Sequence, residues 1–324
     1  MATEIGRLVN VGLGRESVGR GTPAAAAFWL PKVEFDFDPK AELAVDNSGL
    51  GVIDGRSDAK VVEQLGEGSF GGVVYDKTFG ILLAACLGTW SSVGPSDSGY
   101  THSFTRLNSN QHPSLTIYHK DQNVEERFPL GMLSQLSIKM ALKDYVRYTA
   151  GFMSKIGVTT TGNTPSYISE NAFLATHATI KFADTVAALG TASDVGVRAV
   201  NLTINKNVED WQNLGSTDPA DIVNKALFCS GDFELLFDDV TYRDYVLAGT
   251  KKAARLTLEN TDVAIGTATH PKMQITFAPL TLKDWGRGVG QDDIASQTIA
   301  FDGNFGFTSS KTLDIVLVNT QTSY

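Results

Sequence analysis

At 324 residues, with 42% hydrophobic and 19% charged side chains, the chain has the composition of a packed globular protein of one large or two ordinary domains. Its 27 Lys and Arg against 36 Asp and Glu leave a formal charge of -9, which excludes a surface that grips nucleic acid by neutralising phosphates, though not one that lets a duplex pass. The two cysteines, Cys86 and Cys229, lie in apolar surroundings and exclude a disulfide framework or a cysteine zinc site; both read as buried thiols.

The opening MATEIGRLVN has an acid at Glu4 and no apolar signal core, and the longest apolar run, Ile81 to Leu87, is far shorter than the ~20 residues of a membrane span. Folding in a cytoplasm and no membrane insertion by this chain are expected. Residues 1–31 read as an N-terminal arm and 32–324 as the main domain. A strand is predicted over Lys32–Phe37, followed by a polar connection at 40–60. The stretch LGEGSFGGVVY (65–75) then matches the spacing of a nucleotide-binding glycine loop. Next comes a short helix, KTFGILLAACL, capped by Asp76 and stopped at Gly88.

A second polar connection spans 89–112 before a strand over Ser114–His119. Period-2 alternation then defines a hairpin: Leu136, Ile138, Met140 and Leu142 share one side and Gln135, Ser137, Lys139 and Ala141 the other. Val146, Tyr148, Ala150 and Phe152 continue the apolar side on the return. A third long connection, 157–171, is the best internal boundary, so duplicated lobes over 1–160 and 170–324 remain open. Connections of this length are usually functional or ordered by a partner.

Beyond it lie strands over His177–Phe182, Val200–Asn205 and Asp232–Asp238, the last two with one dry and one polar face. Between them Asp218-Pro219 announces a second short helix, ADIVNKALF. Strands over Ala254–Glu259, Lys272–Ala278, Gln297–Phe307 and Thr312–Asn319 complete a mainly β inventory.

No enzyme chemistry follows from the motifs. A kinase loop needs a lysine on the next strand, but Lys77 stands four residues after Val73 inside the expected helix. Tyr118-His119-Lys120-Asp121 is followed by Glu126 where a metal-binding asparagine belongs, and Asp232-Phe233-Glu234 lacks the glycine of the metal-binding triplet. No βαβ alternation supports a dinucleotide fold. Gly66, Gly68, Gly71 and Gly72 are therefore expected to shape a turn or bulge ahead of a strand. The five histidines show no metal-ligand spacing, and the acidic pairs Glu125-Glu126, Asp238-Asp239 and Asp292-Asp293 read as solvated. No catalytic, cofactor-binding or metal-ligating residue is assigned, and no cofactor is expected.

The segments VNVGLGRESVGRGTPAAAAFWLP, FPLGMLSQLSIKMALKDYVRY and VNLTINKNVEDWQNLGSTDPADIVNKALFCSGDFELLFDDVTYRDYVLAGT together resemble the tail tube proteins of long-tailed, siphovirus-type bacteriophages. The resemblance rests on Gly14, Glu16, Gly21, Trp29 and Pro31 in the first and on the Asp-Pro and F-E-L-L-F spacing in the last.

It implies a tail-tube-type β-sandwich with one or two short flanking helices, its strands joining across subunits into a large inner β-barrel. Rings, hexameric or built as trimers of a duplicated fold, would stack into the conduit for genome ejection. Implied partners are other copies of the chain, a tape measure protein in the lumen, tail-tip and tail-terminator proteins, and double-stranded DNA in transit without specific binding. The implied place is the virion tail, assembled in the host bacterial cytoplasm.

Under this resemblance the polar strand faces give candidate lumen residues Gln135, Ser137, Asn201, Thr203, Asp232 and Glu234, whose lack of positive charge lets a polyanion slide. Lys139 and Arg147 are exceptions, requiring either acids across a subunit boundary or a different face assignment. The arm and the 40–60 connection give candidate inter-subunit residues Arg15, Glu16, Trp29, Asp46, Asp54 and Arg56. Another virion β-sandwich, such as a capsid decoration or tail-tip protein, is the alternative, and a carbohydrate-active enzyme the more distant one.

Overall fold

The computed structural model describes residues 5–31 and 34–324; Glu4 and the first two residues of the strand expected over Lys32–Phe37 lie outside them. The first half of the chain forms β1 (Asn10–Arg15), β2 (Phe28–Leu30), β3 (Glu34–Asp46), β4 (Asp58–Val73), α1 (Phe79–Leu87), β5 (Gly88–Ser96), β6 (Gly99–Arg106), β7 (Leu115–Lys120), β8 (Glu125–Ala141), β9 (Arg147–Lys155) and β10 (Val158–Thr159). The second half forms β11 (Ala178–Ala183), β12 (Val197–Asn205), β13 (Val208–Gln212), β14 (Pro219–Asn224), β15 (Phe228–Leu236), α2 (Thr241–Ala248), β16 (Lys251–Glu259), β17 (Lys272–Gly288), β18 (Ser296–Gly303) and β19 (Leu313–Asn319). The fold is mainly β, as the alternation predicts.

Eight of these strands make one continuous antiparallel sheet in the order β3-β4-β9-β8-β12-β15-β18-β17. The outer layer has two parts. One runs β5-β6-β19-β17-β16-β11, and the other joins β2, β1, β7, the first half of β8 and β10. Strands β8 and β17, each 17 residues long, belong to both layers. Between the layers lies a phenylalanine-rich core in which Phe70 stacks on Phe152 and Phe233 on Phe301.

The two halves of the eight-stranded sheet repeat each other in register. Gly68 faces Phe152 and Phe70 faces Ala150 across β4 and β9; Gly231 faces Phe301 and Phe233 faces Ile299 across β15 and β18. Both long strands carry a bulge at the corresponding place, at Ser134 in β8 and at Lys283 in β17. Each half also has a short helix after its second sheet strand, ended by a left-handed glycine, Gly88 or Gly249.

Several local expectations yield to tertiary pairing. The segment after Asp218-Pro219 is strand β14, not a helix: it pairs with β13, and Ile222 is buried beside Leu130 and Met132. The second helix is instead Thr241–Ala248, where Asp239 Oδ1 accepts the Thr241 N–H at 2.8 Å. The connections at 40–60 and 89–112 are largely hairpin strands, β3–β4 and β5–β6. The glycines at 66, 68, 71 and 72 lie inside β4, not in a turn ahead of it. Two of them are needed there for close approach: a Cβ on Gly68 would stand 1.9 Å from the Asp36 carbonyl oxygen, and one on Gly71 2.7 Å from that of Tyr148.

Helix α1 is buried on every side, which accounts for its uniformly apolar sequence. Asp76 does not cap it. Glu170, from the 157–171 connection, accepts the Thr78 N–H at 2.8 Å and the Thr78 hydroxyl, while Asp76 accepts from Asn171. At the other end the buried Lys206 donates to the Ala85 carbonyl at 2.9 Å, a cation at the negative end of the helix. Burial pulls its ammonium down to about 8.

His112 lies in this same region, and burial with the nearby Lys206 and Arg20 cations holds its imidazole down to about 4. The ring's Nε2–H donates to Leu107 O at 2.9 Å, and its buried Nδ1 makes no hydrogen bond. A group neutral when folded but basic near 6.5 when unfolded contributes stability above pH 6.5 and loses it as pH falls toward 4. Thermal unfolding followed across that range should show Tm falling with acid, and the fall should be shallower in His112→Leu.

Candidate functional site

The sequence-derived polar positions are brought together on the face of the eight-stranded sheet opposite the core. Gln135, Ser137 and Lys139 on β8 face Asn205, Thr203 and Asn201 on β12, and Asn201 faces Asp232 on β15. Side chains tie the strands laterally: Ser137 Oγ lies 3.1 Å from Thr203 Oγ1, and Asn201 Nδ2 donates to Asp232 Oδ2 at 2.8 Å. Glu234 takes a more distant ion pair with Arg198 at 3.8 Å. Alternation along each strand explains why residues this polar sit on a sheet whose other face is dry.

Register extends the face in both directions, to positions that sequence alternation alone did not nominate. Glu34, Asp36 and Asp38 on β3, with Glu67 on β4, continue it on one side. Asp302 on β18 and Asp284 on β17 continue it on the other. Acids thus recur from edge to edge, interspersed with cations: Lys40 follows Asp38 on the same side of β3, and Lys283 pairs with Asp302 at 2.7 Å. Lys139 and Arg147 face each other across β8 and β9. Arg147 is held within its own hairpin by a two-pronged contact with Asp144, at 2.9 and 3.0 Å, which keeps the carboxyl below its ordinary range and raises the guanidinium. Neither a partner subunit nor a different face is needed to account for it.

The candidate contact residues divide into two groups. Glu16 is buried, and its carboxylate accepts from the N–H groups of Gly21 at 2.6 Å and Leu130 at 2.8 Å, from Thr116 Oγ1 at 2.9 Å and from Ser114 Oγ. Trp29 is buried too, packed across β1 against Gly12. Arg15 lies over Trp90 at 4.3 Å. From Ile5 to Pro31 the arm runs along its own chain, β1 pairing with β2 and β7, while Arg15 and Val18 stay exposed.

Asp46, Asp54 and Arg56, by contrast, are fully presented at the exposed end of the β3–β4 hairpin. The base of that hairpin leans on the β13–β14 hairpin, where the Gln64 N–H donates to Thr217 O and Gln212 Nε2 to Val62 O, both at 2.8 Å. Beside this contact Glu63 is pushed up to about 7 by the hydrogen bond it shares with Asp210, by burial and by Glu42.

Two sheet edges are open among the described residues. The outer side of β3 pairs with no strand, and neither does the far side of β17 from Asp284 onward. Edges this long are unusual on a chain that stays alone. Clusters of His, Cys, Asp and Glu suited to a metal are absent among the described residues. Both cysteines are buried thiols raised by that burial, Cys86 to about 12. Among the described residues no helix is long and apolar enough to cross a membrane.

Comparison with known proteins gives one family: a family model described as phage tail tube protein matches residues 6–303. A search of curated proteins found no match.

Proposed function

Because the chain belongs to the phage tail tube protein family, a structural family of the virion tail, we propose that it polymerises as stacked rings enclosing the conduit for genome ejection. The observation that carries this reading is the eight-stranded sheet with one dry face, one acid-rich face and two unpaired edges. Closing such sheets side by side removes the edges and turns the polar faces into one lining. Fixed carboxylates on that lining repel phosphates, so DNA slides through without being held.

The register repeat supports two copies of one tube fold within the chain, and so a ring of three chains with sixfold-like appearance. At about 4.8 Å per strand and ordinary barrel tilt, three eight-stranded sheets close a barrel about 45 Å across between backbones, whereas six close one about 90 Å across. A duplex roughly 20 Å wide, with side chains and water around it, suits the first.

The tape measure protein would fill the lumen before the DNA, and tail-tip and terminator proteins would meet the two ends of the tube. The hairpin tip with Asp46, Asp54 and Arg56 would reach the adjacent ring. Assembly in the cytoplasm of the bacterial host of a siphovirus-type phage completes the reading. Electron cryomicroscopy of tubes grown from concentrated protein should show an open channel and threefold rings with pseudo-sixfold density. Protein that stays monomeric at high concentration, even with its tape measure partner, would overturn the proposal; sixfold rings of whole chains would overturn the ring order.

A further inference from the structure

We propose that β17 of one chain pairs antiparallel with β3 of a second copy, in the register that β8 and β12 already use inside the chain. The inference rests on the reading of side-by-side ring assembly and specifies which edges meet and how. In the repeat, Leu133 and Gln135 of β8 face Phe152 and Gly151 of β9, as Leu282 and Asp284 of β17 face Phe301 and Ala300 of β18, with the bulged residue between them in both cases. Asp36 and Phe37 of β3 face Ser69 and Gly68 of β4, as Asn201 and Leu202 of β12 face Asp232 and Gly231 of β15. A Cβ on either glycine would strike the carbonyl oxygen of the corresponding residue, Asp36 or Asn201. So β17 occupies in the second half the place of β8, and β3 occupies in the first half the place of β12.

Inside the chain these two places are joined: Gln135 faces Asn205, Ser137 faces Thr203 and Lys139 faces Asn201. Carried over, Asp284 meets Lys40, Gly286 meets Asp38 and Gly288 meets Asp36 of the second copy. The chemistry of the carried-over pairs is complementary. Asp284 faces a cation, and the run of acids on β3 faces glycines instead of like charges. Pro39 takes the place of Ile204 and has no N–H to donate, so the junction has one ladder hydrogen bond fewer than β8–β12 at that point.

The test is disulfide trapping in assembled tubes. Gly286→Cys with Asp38→Cys is the first pair, since a Cβ on Gly286 meets nothing within 4 Å; Asp284→Cys with Lys40→Cys is the second. Ser137→Cys with Thr203→Cys is the in-chain control, because those hydroxyls already lie 3.1 Å apart. Under mild oxidation the inter-chain pairs should give covalent dimers and trimers on a non-reducing gel, and Asp284→Cys with Glu42→Cys, one same-face step out of register, should give none.

Tubes that form while the control oxidises and neither inter-chain pair links, or in which the shifted pair links instead, overturn the proposed junction and leave ring assembly standing. Failure of the unmodified chain to form tubes overturns ring assembly itself, and the junction with it. Should one cysteine pair prevent folding, the other decides.

Discussion

Gly231→Val is expected to abolish the folded protein. The added Cβ alone would stand 2.1 Å from the Asn201 carbonyl oxygen and 2.7 Å from the Phe301 ring, so both the β12 backbone and the core aromatic stack would have to move. Backbone cannot yield cheaply in the middle of a sheet paired on both sides, and a cost of about 4 kcal/mol or more is expected. Gly68→Val should behave alike, its Cβ meeting the Asp36 carbonyl oxygen at 1.9 Å with φ at 153°. Soluble yield and circular-dichroism melting give the readout, with Gly286→Ala as the neutral control. Native-like melting of Gly231→Val would show that the β12–β15 approach is not obligatory.

Glu16→Ala should produce the second largest loss. Two backbone N–H groups and two hydroxyls converge on this one buried carboxylate. Removing it leaves donors from the arm, β7 and β8 unsatisfied together, a loss of roughly 3–5 kcal/mol. For a chain of this size that corresponds to a fall in Tm of roughly 4–7 °C. Asp54→Ala, fully exposed at the hairpin tip, should leave melting unchanged. Equal melting of Glu16→Ala and wild type would mean that water replaces the carboxylate, and that the arm is fixed by Val11, Leu13 and Leu30 instead.

The two predictions concern residues that sequence reasoning treated differently from the structure. The sequence offers Glu16 for contact with a neighbour because the arm around it carries few apolar residues to fix it on its own chain. Its four partners come from positions as far away as Leu130, and no local pattern announces such convergence. Gly68 belongs to a nucleotide-loop spacing that carries no nucleotide chemistry; what it shares with Gly231 is strand geometry, since Gly-Ser-Phe at 68–70 and Gly-Asp-Phe at 231–233 repeat the same pairing. The repeated glycine–phenylalanine spacing is the sequence signal of this shared geometry.

Period-2 alternation by itself determined the mainly β class, the β8–β9 hairpin and the dry and polar faces of β12 and β15, because side chains on a strand must alternate. It therefore placed each of the six polar candidates on the polar side of its own strand. It also fixed α1, since a uniformly apolar run ended by Gly88 suits a buried helix. Only the tertiary structure decided that the Asp218-Pro219 segment is a strand, because pairing with β13 and burial of Ile222 outweigh a capping signal of about 1 kcal/mol. Only it joined β8 to β12, extended the acidic face to both edges and left β3 and β17 open. Strand partners far apart in sequence are chosen by sheet register and shared core packing, which no local run of residues encodes.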